Sequence, residues 1–205
     1  MFHNLLSFGD IIELKVNCDT QKILKELKDF KWVQYNPRKE INRYGLSVTS
    51  LDGDLTGVAD LDSLYEYNEI HDTIYNNMSF KEFTDVYWQS SETQKLIEPF
   101  KPWIGRTHFI NFRRGGFFPP HTDWRSIKEA DCFRLLVPIL DCNPEKMYFI
   151  YEKQPIYFNH GTTYFMNTNK VHSVFSFSDR AKMLVMNIEN TEESVHQITK
   201  MFRYK

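Results

Sequence analysis

The sequence lacks the features that mark membrane-spanning, secreted and nucleic-acid-binding proteins. No apolar run approaches the roughly 20 residues that a membrane helix needs. The first residues, MFHNLLSFGDIIEL, have neither the basic start nor the small-residue cleavage site of a signal peptide. Because 25 basic residues nearly balance 27 acidic ones, we expect no bulk attraction to nucleic acid or to a membrane surface.

Cysteines are also scarce, and none has the CxxC spacing of a metal or redox site. Cys18, Cys132 and Cys142 are odd in number, which predicts free thiols in a reducing compartment. A disulfide between Cys132 and Cys142 is the alternative. We therefore expect a cytoplasmic protein. The composition, rich in Lys, Asn, Tyr and Phe, is also typical of phage proteins, for which this compartment would be the host cytoplasm.

The chain has no internal repeat, no low-complexity run and no flexible linker, which favours one domain. Its 205 residues, 41% of them hydrophobic, are sufficient for one full core. Within that domain we expect three parts. They are a mixed α/β support over 1–102, a β core over 103–190 and a terminal helix over 191–205.

The β core is predicted from short segments rich in β-branched and aromatic residues. They recur at about 8–12 residues with turn residues between them, a rhythm typical of an antiparallel sandwich or barrel. The predicted strands are 105–112, 133–139, 147–152, 155–159, 162–167, 172–177 and 182–189. The expected fold class is therefore mainly β with flanking helices.

The segment His121-Thr122-Asp123 is the pattern that points most directly to chemistry. Alternate residues of a strand face the same side, so this segment presents an imidazole and a carboxylate together. His172, which opens a later strand, would supply a second imidazole. Two histidines and one carboxylate on one face of Fe(II) leave the opposite face open for other ligands. The alternative is that HxD arises by chance and that the histidines are polar surface residues.

Two arginines are candidates for binding a carboxylate of a co-substrate. Arg180 follows His172 closely, and a guanidinium matches a carboxylate in two hydrogen bonds; the alternative is a turn arginine in water. Arg134 heads an apolar strand, so we expect either a second carboxylate contact or the partner of a buried acid such as Asp131. His108, on the strand that leads to the motif, is a further candidate for the same pocket.

Three segments resemble the Fe(II)/2-oxoglutarate dioxygenases of the aspartyl/asparaginyl β-hydroxylase and proline hydroxylase-like branch. The segments are GGFFPPHTDW, FRLLVPI and YFMNTNKVHSVFSFSDRAKMLVMNIE, within residues 103–189. This resemblance implies a distorted double-stranded β-helix, which is a cupin-like jelly roll. Residues 1–102 contribute nothing to the resemblance.

The resemblance also implies roles for individual residues. His121, Asp123 and His172 would be the iron ligands. Arg180 would pair with the distal carboxylate of 2-oxoglutarate, and Arg134 and Asn111 would help to hold that co-substrate.

The sequence departs from the family pattern at two positions. Mammalian-type members of the branch lack the carboxylate ligand, whereas this chain has Asp123, which places it nearer to the members with a full triad. The strand that often reads Arg-x-His in the family has Leu136 in place of the histidine. One co-substrate contact of Arg134's strand is therefore missing or supplied elsewhere.

The function implied by the resemblance is hydroxylation of a free amino acid or a peptidyl side chain, with succinate and CO₂ as co-products. The cofactors would be Fe(II), 2-oxoglutarate and O₂, with ascorbate as reductant in vitro. A non-catalytic cupin-like jelly roll that binds a metal or a small molecule is the alternative. Cupins usually carry several histidines close together in their first metal motif, and the single HxD here favours the oxygenase.

Trp124 and Arg125 directly follow the metal motif, so we expect them at the mouth of the pocket as substrate contacts. A cation there would fix a substrate carboxylate or peptide carbonyl. Arg125→Ala should therefore weaken hydroxylation of amino acids or of short Asp-, Asn- or Pro-containing peptides, measured as a mass gain of one oxygen atom. Succinate formation without substrate should persist. Undiminished hydroxylation in the variant would contradict this role.

Overall fold

The computed structural model describes residues 2–123 and 132–203. The strands of these residues are β1 (Ile11–Asn17), β2 (Val33–Gln34), β3 (Arg43–Ser47), β4 (Thr49–Ser50), β5 (Glu82–Phe83), β6 (Ile104–Phe112), β7 (Phe117–His121), β8 (Cys132–Leu140), β9 (Met147–Tyr151), β10 (Gln154–Pro155), β11 (Thr162–Met166), β12 (His172–Ser176) and β13 (Ala181–Glu189). The α-helices are α1 (Thr20–Glu26), α2 (Leu64–His71), α3 (Asp85–Trp88), α4 (Ser91–Ile97) and α5 (Glu192–Lys200). Short 3-10 helices cover Phe2–Phe8, Pro37–Lys39, Asn77–Ser79 and Glu98–Trp103.

Two antiparallel sheets form the body of the protein. The larger has seven strands in the order β1-β11-β8-β13-β6-β3-β2, and the smaller has four in the order β10-β9-β12-β7. From β6 to β13 the chain passes back and forth between the two sheets, as in a jelly roll, with the consecutive strands β9 and β10 both in the smaller one. The predicted fold class, mainly β in a distorted double-stranded β-helix, is confirmed. The small β4–β5 ladder lies outside both sheets.

The large sheet separates two apolar cores. One face packs against the N-terminal helices and α5, with Phe109, Leu135 and Leu184 in the strands and Ile23 and Leu96 in the helices. The other face packs against the small sheet through a separate set of buried side chains. Because side chains alternate along a strand, each strand of the large sheet serves both cores.

The N-terminal half contributes strands as well as helices to this body. β1 pairs with β11, and β3 pairs with β6, so both extend the large sheet at its edges. Sequence analysis expected a mixed α/β support over 1–102 but placed no individual strand in it. Helix α1 is capped by Asp19, whose carboxylate accepts the backbone N–H groups of Gln21 and Lys22. No helix of the described residues is long and apolar enough to cross a membrane.

A tight turn sends the chain from β6 into β7, the strand that carries His121. The backbone N–H of Gly115 donates to Ser176 O and that of Ser176 donates to Gly116 O, so the turn is bonded to β12. A Cβ on Gly116 would lie 2.3 Å from the carbonyl oxygen of Asn42 and 2.8 Å from that of Arg113. Both contacts are with backbone, so no side-chain rotation relieves them.

Gly116→Ala should therefore lower the free energy of unfolding by about 1–3 kcal/mol, the range of an overpacked site. Gly115→Asn is the matched control, because Gly115 has φ +76° and open space around the added Cβ. Asparagine tolerates that left-handed conformation better than other residues. Denaturant titration compares the two, and equal stability of the two variants would show that the turn yields at Gly116.

Candidate metal centre

His121 and His172 lie opposite each other on neighbouring strands of the small sheet. His121 ends β7, His172 begins β12, and the two residues are paired in register. Their rings are 4.3 Å apart between centroids. Asp123 follows two residues after His121, where its backbone N–H donates to Thr168 O at 3.0 Å. The ladder and this hydrogen bond together bring the three side chains to one point.

Backbone carbonyls fix the orientation of both imidazole rings. The Nδ1 atom of His121 lies 2.7 Å from Pro119 O, and that of His172 lies 3.0 Å from Lys170 O. A carbonyl oxygen only accepts, so each neutral ring carries its proton on Nδ1 and leaves the Nε2 lone pair available. This is the arrangement that metal-binding histidines use.

The Nε2 atoms of both histidines face the Asp123 carboxylate. His121 Nε2 is 3.6 Å from Oδ1, and His172 Nε2 is 3.9 Å from Oδ2. The potential ligand atoms of the three residues all lie within 4.8 Å of one another. Two neutral nitrogens and one carboxylate oxygen are a donor set that suits Fe(II). The residues present therefore fit the metal that the sequence predicts, although their ligand role remains a prediction.

The local electrostatics favour the protonation states of Asp123 and His172 that a metal needs. Burial alone would raise the pKa of Asp123, but Arg134, His172 and Thr168 outweigh it and hold that pKa below its usual value. Burial lowers the pKa of His172, and the nearby Asp123 only partly offsets this. At neutral pH the site therefore offers an ionised carboxylate and a neutral imidazole.

The three residues open into a cavity of about 530 Å³ between the two sheets. Its deep wall is apolar and includes Phe112, Phe149 and Met183. Its outer wall comes from the N-terminal half, through residues 62–68 and 75–77, which sequence analysis did not assign to the site. The N-terminal half therefore shapes the space in front of the candidate metal centre.

Arg134 lies in the cavity, beside Asp123. Its Nη1 is 2.7 Å from Asp123 Oδ2, and its Nε donates to Asn187 Oδ1 at 3.2 Å. Of the two predicted alternatives, the structure shows an arginine paired with an acid. That acid is Asp123; Asp131 lies outside the described residues. A contact between Arg134 and a co-substrate remains a prediction.

The structure does not bring Arg180 to the cavity, which contradicts its expected contact with 2-oxoglutarate. Its side chain is 70% exposed, and its Nη2 lies 3.6 Å from Asp141 Oδ2. The reason is the register of β13: Ala181, Met183 and Val185 pack in the core between the two sheets, and Arg180 precedes them on the turn. The distance in sequence from His172 to Arg180 suited the expected role. Alternation along β13, however, turns the residue before Ala181 away from the cavity.

The same alternation excludes Asn111, which was expected to help hold the co-substrate. On β6 the residues that line the cavity are Arg106, His108, Ile110 and Phe112. Asn111 lies between two of them and so faces away. The expectation that His108 faces the pocket is confirmed by its place in the cavity wall.

Arg106 and Tyr75 also line the cavity, and the sequence analysis named neither of them. Arg106 was detectable, because it has the same strand parity as His108 in the predicted strand 105–112. Tyr75 lies in a segment without clear periodicity. Trp124 and Arg125, the expected substrate contacts, lie outside the described residues.

Comparison with known proteins supports the fold assignment. No protein-family model matches the sequence, and no curated protein matches it. Among solved structures, the chain is similar to HygX from Streptomyces hygroscopicus with nickel, 2-oxoglutarate and hygromycin B bound, with a TM-score of 0.55 and 8% identity over 93% of this chain and 86% of that one. It is also similar to an oxidoreductase of the 2OG-Fe(II) oxygenase family from Burkholderia pseudomallei, with a TM-score of 0.50 and 11% identity over 93% and 89% of the two chains. At these identities the likeness establishes the double-stranded β-helix fold.

His172→Ala and Asp123→Ala should each lower the affinity for Mn(II), used as a stable substitute for Fe(II), by more than about 100-fold. Loss of a group that only orients a ligand already costs 10- to 100-fold. Calorimetric titration measures the affinity, and exposed His196→Ala is the control. Wild-type affinity in both site variants would rule out the metal centre.

Proposed function

We propose that this protein is an Fe(II)/2-oxoglutarate-dependent oxygenase that hydroxylates an amino acid or a peptidyl side chain. The observation that carries the proposal is the convergence of His121 Nε2, His172 Nε2 and the Asp123 carboxylate at one side of a cavity between the sheets. Three donors on one side leave room for a chelating co-substrate and O₂. The similar HygX structure contains 2-oxoglutarate and a metal on the same fold, which supports the proposal.

Iron held at this site would supply the activation of O₂ that couples the loss of CO₂ from 2-oxoglutarate to hydroxylation of a C–H bond. The protein contributes orientation and a dry environment. Pro119 O and Lys170 O hold the two imidazoles in the tautomer that binds a metal. Arg134 holds Asp123 ionised and in place, and it is in turn positioned by Asn187.

The outer wall of the cavity favours a neutral, polar substrate. Its two acids are neutralised: Arg38 forms two short hydrogen bonds to Asp62, and Lys39 Nζ lies 2.7 Å from Glu66 Oε1. The remaining wall combines tyrosines with side-chain amides, namely Tyr65, Asn68, Tyr75, Asn76 and Asn77. Amides pair with peptide N–H and C=O groups, and tyrosine rings pack on flat apolar surfaces. This composition is the reason to keep peptidyl residues in the proposal.

With Fe(II), ascorbate and 2-oxoglutarate, the purified protein should form succinate slowly even without a prime substrate. Asp123→Ala and His172→Ala should abolish this activity, because two remaining ligands do not hold the metal, whereas His196→Ala should leave it intact. Succinate quantified by mass spectrometry is the measurement. Equal succinate from wild type and both site variants would refute catalysis at this site. Tight metal binding without any succinate would instead identify the non-catalytic cupin-like alternative.

A further inference from the structure

Within residues 2–123 and 132–203, the deep part of the cavity contains no group that balances a buried carboxylate. The residues of β13 that pack in this core are Ala181, Met183 and Val185, and the facing wall adds Phe112 and Phe149. An ionised carboxylate in such surroundings costs several kcal/mol unless a cation or several donors meet it. A dicarboxylate co-substrate, which the proposed function requires, must therefore place its distal carboxylate elsewhere.

Two cations are found among the described residues that line the cavity: Arg106 and Arg134. Arg134 is already occupied, since it forms the ion pair with Asp123. Arg38 and Lys39 neutralise the acids of the outer wall, Asp62 and Glu66. Arg106 is thus the cavity cation that makes no ion pair among the described residues. The Asp60 carboxylate interacts with it electrostatically, but burial raises the pKa of that acid to about 7, so at neutral pH it carries only part of a charge.

Arg106 is held rigidly but makes no ion pair within the described part of the chain. Its side chain is nearly buried, with the residue 6% exposed. Nε donates to Asp60 O at 2.7 Å, and Nη2 donates to Asp62 O at 2.7 Å and to the Tyr35 hydroxyl at 3.5 Å. All three acceptors are neutral oxygens. A guanidinium fixed in this way is preorganised for an anion that the protein itself does not provide.

His108 and Tyr35 complete a polar corner around Arg106. His108 is the next residue of β6 that faces the cavity; it is 4% exposed and its Nδ1 has no hydrogen-bond partner. The ring of Tyr35 lies 5.4 Å from that of His108, between centroids. The neutral His108 ring has one N–H group, and with the proton on Nδ1 it can donate to a carboxylate oxygen, as can the phenol hydroxyl of Tyr35.

We propose that Arg106, His108 and Tyr35 form the subsite for the distal carboxylate of the co-substrate, in place of a cation from β13. This inference rests on the proposed function. The subsite lies on the same inner face of the large sheet as Arg134, with Asn187 between them: Asn187 accepts from Arg134 Nε and donates to Arg106 O at 2.6 Å. The side chain that orients the carboxylate of the metal centre is thus linked to the strand that carries the anion subsite.

Arg43 is the competing candidate, because it is 3% exposed and its Nε has no hydrogen-bond partner. Its guanidinium, however, stacks on Phe118, with Cζ 4.0 Å from the ring centroid, and Arg43 is not part of the cavity wall. Arg106 also lies near a ring, with Cζ 5.9 Å from the Phe80 centroid, but the Arg43 contact is much closer and only Arg106 lines the cavity. We therefore assign the anion to Arg106.

The test compares two 2-oxo acids that differ only at the far end of the chain. 2-Oxoglutarate and 2-oxopentanoate share the chelating end, but only the first has a distal carboxylate. Calorimetry on the Mn(II)-loaded protein should show that wild type prefers 2-oxoglutarate. Arg106→Gln should weaken 2-oxoglutarate by roughly 10- to 150-fold, the range for a charge-assisted hydrogen-bonded contact, and leave 2-oxopentanoate unchanged. The variant should therefore bind the two acids with similar affinity.

Three further variants keep the test decisive. Tyr35→Phe removes one hydroxyl and should reduce the ratio of 2-oxoglutarate affinity to 2-oxopentanoate affinity. This variant serves as the test if Arg106→Gln fails to fold. Arg180→Met, at the exposed arginine, and Arg43→Met should both retain it. A preference that survives Arg106→Gln and Tyr35→Phe, or that is lost in Arg43→Met instead, overturns the subsite. Wild type that binds Mn(II) but neither acid overturns the proposed function together with the subsite.

Discussion

The candidate metal centre depends on two hydrogen bonds between imidazole rings and nearby backbone carbonyls. His121 and His172 each place Nδ1 against the carbonyl oxygen two residues earlier, Pro119 O and Lys170 O. The bond decides which nitrogen carries the proton, and the ladder between β7 and β12 decides where the other nitrogen points. Asp123, which lies just beyond the end of β7, then supplies the third candidate ligand. The geometry is thus set by the main chain, before any metal binds.

The large sheet performs two separate tasks on its two faces. Its outer face packs against the helices and stabilises the protein, with residues such as Phe109 and Leu135 in that core. Its inner face holds the polar groups near the metal centre, among them Arg106 and Arg134. Because neighbours along a strand face opposite ways, residues of the helix-facing core alternate with residues that face the cavity. Substitutions on β6 and β8 should therefore differ sharply in effect from one position to the next.

The sequence predicted what depends on composition and short motifs. The rhythm of apolar segments indicated the jelly roll, and the HxD motif with His172 indicated three residues that the structure brings together. Sequence-based prediction failed where a shift of one residue decides which face of the sheet a side chain lies on. Arg180 and Asn111 were assigned to the cavity, yet a shift of one position turns a side chain to the other face. The outer wall was missed because its residues, 62–68 and 75–77, are joined to the site only by tertiary packing.

The strand that carries His121 has a second consequence for the molecule. β7 is the edge of the small sheet, and an edge strand offers unpaired main-chain groups to any other extended chain. Pro119 and Pro120 are exposed on this edge and have no N–H group, so this part of the edge offers no backbone donor to an incoming strand. The carbonyl of Pro119 is in addition already occupied by the His121 ring. The residues that orient the candidate ligand thereby also protect the sheet from edge-to-edge aggregation.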